Sequence, residues 1–118
     1  MTEESIQSAI VAYLRYSGWK VLEYAKPRAH GKLGGIIEAG HPDLLAIKRI
    51  PVSATTWPWA TYHLWIEVKQ PGKKPSPDQE RLHAEFQEAG AWIVIWRSLE
   101  DAIATLAPLG LGLADWLP

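Results

Sequence analysis

The chain has 118 residues, of which 47% are hydrophobic and 21% are charged, and its net charge at pH 7 is −1. These values are typical of a globular domain with a core of its own, so we expect residues 1–118 to form a single domain. The absence of cysteine excludes a disulfide framework and a thiolate metal site. No apolar run approaches the length of a membrane span, and the acidic N-terminus does not resemble a signal peptide. We therefore expect a cytoplasmic protein without a membrane partner.

The first predicted element is a helix over residues 2–17. Its N-cap is Thr2, and an apolar stripe repeats at helical spacing through Ile6, Ile10, Tyr13 and Leu14. At 100° per residue Glu3 falls inside this stripe, whereas Glu4 points away from it. A first-turn glutamate ordinarily serves the helix dipole, but the inward position also makes Glu3 a candidate for a buried site.

Residues 19–24 alternate as a strand does, and residues 25–39 form a glycine-rich basic connection. Four residues of this loop suit contact with a phosphate backbone: Lys26, Arg28, His30 and Lys32. The whole-chain charge does not indicate a nucleic-acid binder. However, residues 20–74 contain nine basic and four acidic residues, a net of +5, which fits a basic face. An ordinary connection and a mixed solvated surface are the alternatives.

Two further strands are predicted over residues 43–49 and 64–70, joined by the aromatic segment 50–63 as a long hairpin connection. This segment contains Trp57 and Trp59, and exposed aromatic residues of this kind favour an interface, here self-association. Packing on the domain's own core and stacking on nucleobases are alternative uses of these tryptophans.

These two strands carry charged residues among apolar ones: Asp43 in the second strand, Glu67 and Lys69 in the third. Positions two apart in a strand project to the same face, so paired strands would bring the three side chains together. Burying such charges is costly unless they are paired or bind a metal. A structural ion pair is the plain alternative. As a site, two hard carboxylates favour Mg²⁺ or Mn²⁺, and Lys69 beside a metal-activated water would support phosphodiester hydrolysis.

A basic turn, residues 71–75 with Lys73 and Lys74, leads into a helix that starts with a capping box from Ser76 to Gln79. Gln79 lies on the apolar stripe of this helix, so it is a candidate for the site as well as for the capping bond. Residues 91–96 are apolar almost throughout and are predicted to form a central strand. A last helix over 99–106 and a tail that packs on the core or on a second subunit complete a mixed α/β sheet protein.

The joint pattern is more specific than any of its parts. It consists of Gly40-His41-Pro42-Asp43, then Ile66-Glu67-Val68-Lys69, then Ser76-Pro77-Asp78-Gln79. This pattern resembles the PD-(D/E)XK nuclease superfamily, and specifically its VRR-NUC family, over nearly the whole chain. The resemblance implies a restriction-endonuclease-like αβββαβ core with a mixed central sheet flanked by helices.

The resemblance also implies roles for individual residues. Asp43 and Glu67 would bind Mg²⁺ (or Mn²⁺) together with the Val68 carbonyl and a first-helix glutamate, for which Glu3 is preferred and Glu4 is the second choice. Lys69 would be catalytic, with Gln79 in support. Independently of the resemblance, the basic composition of the loop and the turn predicts DNA contacts for six residues: Lys26, Arg28, His30, Lys32, Lys73 and Lys74.

Stand-alone members of this family resemble Holliday-junction resolvases and act as homodimers, whereas larger relatives cut flapped DNA. A chain of this length leaves no room for a fused domain, so we expect a dimeric, structure-selective DNA endonuclease that acts in DNA repair. A nuclease for flaps or other branched DNA and a non-cutting DNA-binding module of the same fold are the alternatives. The family's small members also suggest a phage- or prophage-encoded protein in the host cytoplasm.

Overall fold

The computed structural model describes residues 1–24, 38–50 and 60–116. In chain order the elements are α1 (Glu3–Tyr16), β1 (Lys20–Glu23), β2 (Leu44–Arg49), β3 (Thr61–Val68), α2 (Pro77–Glu88), β4 (Trp92–Trp96) and α3 (Leu99–Leu106). A short 3₁₀ turn, Ala107–Leu109, follows α3. The predicted αβββαβ order is therefore confirmed, and so is the predicted last helix. Among the described residues, no helix is long and apolar enough to cross a membrane.

Local signals explain where the helices begin. The side-chain oxygen of Thr2 accepts the N–H of Ser5 at 3.0 Å and caps α1. Ser98 caps α3 in the same way by accepting the N–H of Asp101 at 3.1 Å. Beyond the C-terminus of α1, Gly18 adopts a φ of 91°, a conformation that side chains disfavour.

Within the described residues, four strands form one mixed sheet in the order β1-β2-β3-β4, with β3 and β4 parallel and the other pairs antiparallel. The prediction that β4 is central is wrong, because β4 lies at an edge of this sheet. Its apolar sequence reflects two covered faces: it contacts α2 as well as α3. Because β4 has a strand on one side only, Ile93, Val94 and Ile95 are nevertheless only half-buried.

The core lies on one face of the sheet, where Leu64, Ile66 and Val68 of β3 are fully buried against α1 and α3. The alternate positions of β3 face α2 on the other side. Trp65 meets Phe86 of α2 with ring centroids 5.0 Å apart, and Glu67 meets the first turn of the same helix. Glu67 is thus held between the sheet and α2.

The segment after α3 packs on the first helix and the residues that follow it. The Tyr13 hydroxyl donates to the Leu113 carbonyl at 2.9 Å, and the Trp19 indole N–H donates to the Leu111 carbonyl at 2.8 Å. Gly112 lies so close to the Tyr13 hydroxyl that a side chain there would overlap it. Of the two predicted places for this tail, the structure shows packing on the chain's own core.

Candidate active site

Asp43 lies directly before β2, where the sheet register sets it against Glu67. Leu44 pairs with Ile66, and continuing this antiparallel register by one residue places Asp43 opposite Glu67. Opposed side chains project from the same face with Cβ atoms about 5 Å apart. Asp43 is 2% exposed, and its Oδ2 accepts the backbone N–H of Val68 at 2.8 Å. Two carboxylates that are far apart in the sequence are therefore brought together at one end of the sheet.

The segment before Asp43 is fixed by close packing against α2. Gly40 has a φ of 89°, and a side chain at this position would overlap the backbone carbonyl of Asp78. The His41 ring packs with its centroid 4.6 Å from that of Tyr24 and 5.6 Å from that of Trp65. The glycine of the Gly-x-Pro-Asp pattern thus has a physical reason, since only glycine fits both the conformation and the space.

Glu67 is fully buried, and Gln79 of α2 binds it directly. The Gln79 Nε2 donates to Glu67 Oε2 at 3.0 Å. The Gln79 Oε1 accepts the backbone N–H of Ser76 at 2.8 Å, and the Gln79 N–H donates to Ser76 Oγ at 3.2 Å. Because the capping box occupies the oxygen of the amide, its NH₂ group must face Glu67. Gln79 therefore makes the capping bond and the contact with Glu67 at the same time, and its role in the site stays a prediction.

A second α2 residue, His83, also faces Glu67. Its Nε2 lies 3.6 Å from Glu67 Oε1, and the residue is 7% exposed. Sequence analysis did not place His83 in the site, because the histidines show no ligand spacing. The signal that could have found it is its position four residues after Gln79, on the same helix face.

Lys69 follows Glu67 by two residues and continues the same face of the strand. Its backbone N–H donates to the Trp96 carbonyl at 3.1 Å, and the residue is half-buried. The turn that follows exposes Lys73 and Lys74, and Arg97 anchors it by donating to the Lys73 carbonyl at 3.0 Å. Six residues with predicted roles lie outside the described part of the chain: Lys26, Arg28, His30, Lys32, Trp57 and Trp59.

The N-terminus of α1 lies at the same end of the sheet as Asp43. Gln7 donates to Glu23 Oε1 at 3.2 Å, and Glu23 pairs with Leu44, the residue after Asp43. Glu3 is half-buried and Glu4 exposed, and both line a groove of about 340 Å³ with Gln7, Ser8 and Glu23. The role of Glu3, and its preference over Glu4, stay predictions.

The residues suit a divalent metal that needs few protein ligands better than one that needs many. Within residues 1–24, 38–50 and 60–116, no three Asp, Glu or His side chains are grouped closely enough to hold a metal ion. Mg²⁺ commonly takes one or two carboxylates and keeps several waters. The buried, opposed pair of Asp43 and Glu67, with the adjacent main-chain oxygen of Val68, meets that requirement without a third carboxylate.

Comparison with solved structures identifies three similar chains, two of which are described by name. One, described as a VRR_NUC domain, has a TM-score of 0.61 and 24% identity, covering 90% of this chain and 94% of its own. The other, a VRR_NUC domain protein, has a TM-score of 0.59 and 18% identity, covering 91% and 86%. No protein-family model matches the sequence, and neither does any curated protein sequence. The chain therefore has the fold of these VRR_NUC domain structures.

Proposed function

We propose that this chain is a VRR-NUC nuclease, a single-domain, metal-dependent endonuclease that hydrolyses phosphodiester bonds in branched DNA. The observation that carries the proposal is the pair of buried carboxylates, Asp43 (2% exposed) and Glu67 (0% exposed), at one end of the sheet beside Lys69. A fold that needed only stability would gain little from burying two carboxylates next to each other. The shared VRR_NUC fold supports the same conclusion.

Asp43, Glu67 and the Val68 carbonyl would hold Mg²⁺ or Mn²⁺. Glu3 is not grouped with them in the described residues, so its place as a further ligand stays a prediction. When bound, such an ion supplies a nucleophilic water at neutral pH and offsets charge on the phosphate. Gln79 fixes the Glu67 carboxylate through the 3.0 Å bond from its Nε2. Lys69 would orient the attacking water and stabilise the negative charge that develops on the phosphate oxygens.

DNA would reach this site along a basic edge. Lys73 and Lys74 are exposed on the turn that follows β3, the strand that carries Glu67 and ends just before Lys69. They would bind phosphates, as would Lys26, Arg28, His30 and Lys32. We propose that two copies form a homodimer, because a two-fold axis would present two sites to the symmetry-related strands of a four-way junction. This arrangement is that of a Holliday-junction resolvase acting in DNA repair.

A Mg²⁺-dependent cleavage assay on four-way junction, flap, duplex and single-stranded DNA tests the proposal. We expect the junction to be cut fastest. Asp43→Asn should keep the fold, since the asparagine oxygen can still accept the Val68 N–H. It should abolish cutting, because the negative charge that would bind the metal is lost. Glu85→Gln makes a matched carboxylate-to-amide change on the exposed side of α2 and should cut at the wild-type rate.

Each result has a distinct meaning for the proposal. Equal cleavage by wild type and Asp43→Asn would refute the nuclease assignment. Preferred cutting of flaps would keep the nuclease and replace the junction as its substrate. DNA binding without cutting in any metal would indicate a non-cutting module. Sedimentation analysis tests the dimer, and rapid junction cleavage by a strictly monomeric protein would contradict it.

A further inference from the structure

Two side chains of α2 approach Glu67: Gln79, which donates a hydrogen bond to it, and His83. We propose that His83 is a positioning residue that holds Glu67 Oε1, so that the affinity of the site for a divalent cation depends on it. This inference rests on the proposed metal-dependent function, and it assigns a role to a residue outside the sequence motif.

The helix geometry aligns His83 with Gln79. Residues four apart in a helix lie on the same face, one turn above the other. The Gln79 Nε2 lies 3.0 Å from Glu67 Oε2, and the His83 Nε2 lies 3.6 Å from Glu67 Oε1. Each oxygen of the carboxylate thus has its own nitrogen from α2. With a nitrogen facing each oxygen, one orientation of the carboxylate plane is favoured.

Burial makes this contact consequential. Glu67 is fully buried and His83 is 7% exposed, so neither group can exchange its partner for bulk water. In the part of the chain that the structure describes, the His83 Nε2 has no hydrogen-bond partner. A buried polar atom normally finds one. Glu67 Oε1 lies 3.6 Å from this nitrogen, slightly beyond hydrogen-bond length, and is positioned to be its partner.

The neighbourhood of His83 allows the contact to be tested by substitution. His83 lines a groove of about 330 Å³ between α2 and β4, together with Ala84, Glu80 and Ile95. Because this open space lies beside the ring, side chains of similar size can replace it without overpacking the core. Residues that orient metal ligands typically contribute about 10-fold to 100-fold to metal affinity.

The experiment measures Mn²⁺ binding to the purified chain by isothermal titration calorimetry, with no DNA present. We expect His83→Leu to bind Mn²⁺ about 10-fold to 100-fold more weakly than wild type. His83→Gln restores an N–H donor at the position of Nε2 and should bind within about threefold of wild type. His63→Leu, the same change at an exposed histidine of β3, serves as the matched control and should leave the affinity unchanged.

The controls separate positioning from general stability. Circular dichroism must show that each variant is folded, and His83→Met replaces His83→Leu if the leucine variant does not fold. Wild-type affinity in the apolar variant, or an equal loss in His83→Gln, would overturn this inference while the proposed function stands. A wild-type chain that binds neither Mn²⁺ nor Mg²⁺ would instead overturn the proposed function itself.

Discussion

The side-chain amide of Gln79 donates to the buried carboxylate of Glu67 at 3.0 Å while its oxygen caps the helix that carries it. One residue thus joins the start of α2 to the end of β3. The bond at the capping end fixes which group of the amide faces the carboxylate. Secondary structure and site geometry are therefore coupled through a single side chain.

Gln79→Glu should separate these two roles. Glutamate still accepts the Ser76 N–H, as in an ordinary capping box, but it places a second carboxylate beside Glu67. Loss of the donor and the added repulsion should lower the free energy of unfolding at pH 7 by about 1–3 kcal/mol. Urea denaturation measures this loss. Gln87→Glu makes the same change at an exposed position of α2 and should change the free energy of unfolding by less than about 0.5 kcal/mol. Equal effects of the two substitutions would contradict the coupling.

Gly40→Ala should destabilise the fold by more than the cost of its backbone conformation. A φ of 89° costs a residue with a side chain about 1–2 kcal/mol, and here the new Cβ would also overlap the Asp78 carbonyl. Gly72 has a φ of 82° with no atom near its missing Cβ, so Gly72→Ala isolates the conformational cost. Thermal and urea unfolding should show the larger loss for Gly40→Ala. A smaller loss at Gly40 than at Gly72 would mean that the contact with α2 is unimportant.

The parts of the structure that were predictable are those that local sequence determines. Caps at Thr2 and Ser98 and regular apolar stripes predicted α1 and α3 to within a residue. The edge position of β4 was missed because its apolar sequence reports covered faces and not the number of paired neighbours. The contact between His83 and Glu67 was missed for a similar reason. Sequence spacing shows which side of α2 the histidine faces, but only tertiary packing decides what it reaches.

Lys69→Ala should abolish cleavage and leave DNA binding measurable. If Lys69 stabilises charge that develops on the phosphate, its loss should lower the cleavage rate by about 100-fold or more. Binding in a gel-shift assay should change little, because the ground-state phosphates are bound by other basic residues. Lys20→Ala removes an exposed lysine from the end of β1 that is far from Asp43. It should change neither the cleavage rate nor DNA binding. Lost binding in a folded Lys69→Ala protein would show that this residue binds substrate instead.

The double substitution Lys73→Ala, Lys74→Ala should weaken binding to every DNA form by a similar factor. Both side chains are exposed and would act on phosphates, which carry no sequence information. Two lost phosphate contacts should reduce the slope of log K against log salt by about 1.8. Fluorescence anisotropy across a series of salt concentrations measures this slope. An unchanged slope would place the DNA on another surface.

Tyr13 should make the fold sensitive to alkaline pH. Burial raises the pKa of the Tyr13 hydroxyl above its ordinary value of 10.0, although a hydrogen bond with Ser17 lowers it in part. The folded state therefore keeps this proton to higher pH than the unfolded state does. The stability that the protonated Tyr13 hydroxyl contributes is complete below pH 10 and is lost as the pH rises above that value.

Urea denaturation between pH 7 and pH 11 tests the role of this hydroxyl. Tyr13→Phe should be less stable than wild type at pH 7 by about 1 kcal/mol, because the Leu113 carbonyl loses its donor. Its stability should, however, fall less steeply above pH 10. Tyr16→Phe alters a tyrosine that is 72% exposed and should reproduce the wild-type profile. The same alkaline slope in wild type and Tyr13→Phe would show that other groups control the transition, because the phenylalanine variant has no proton to lose at this position.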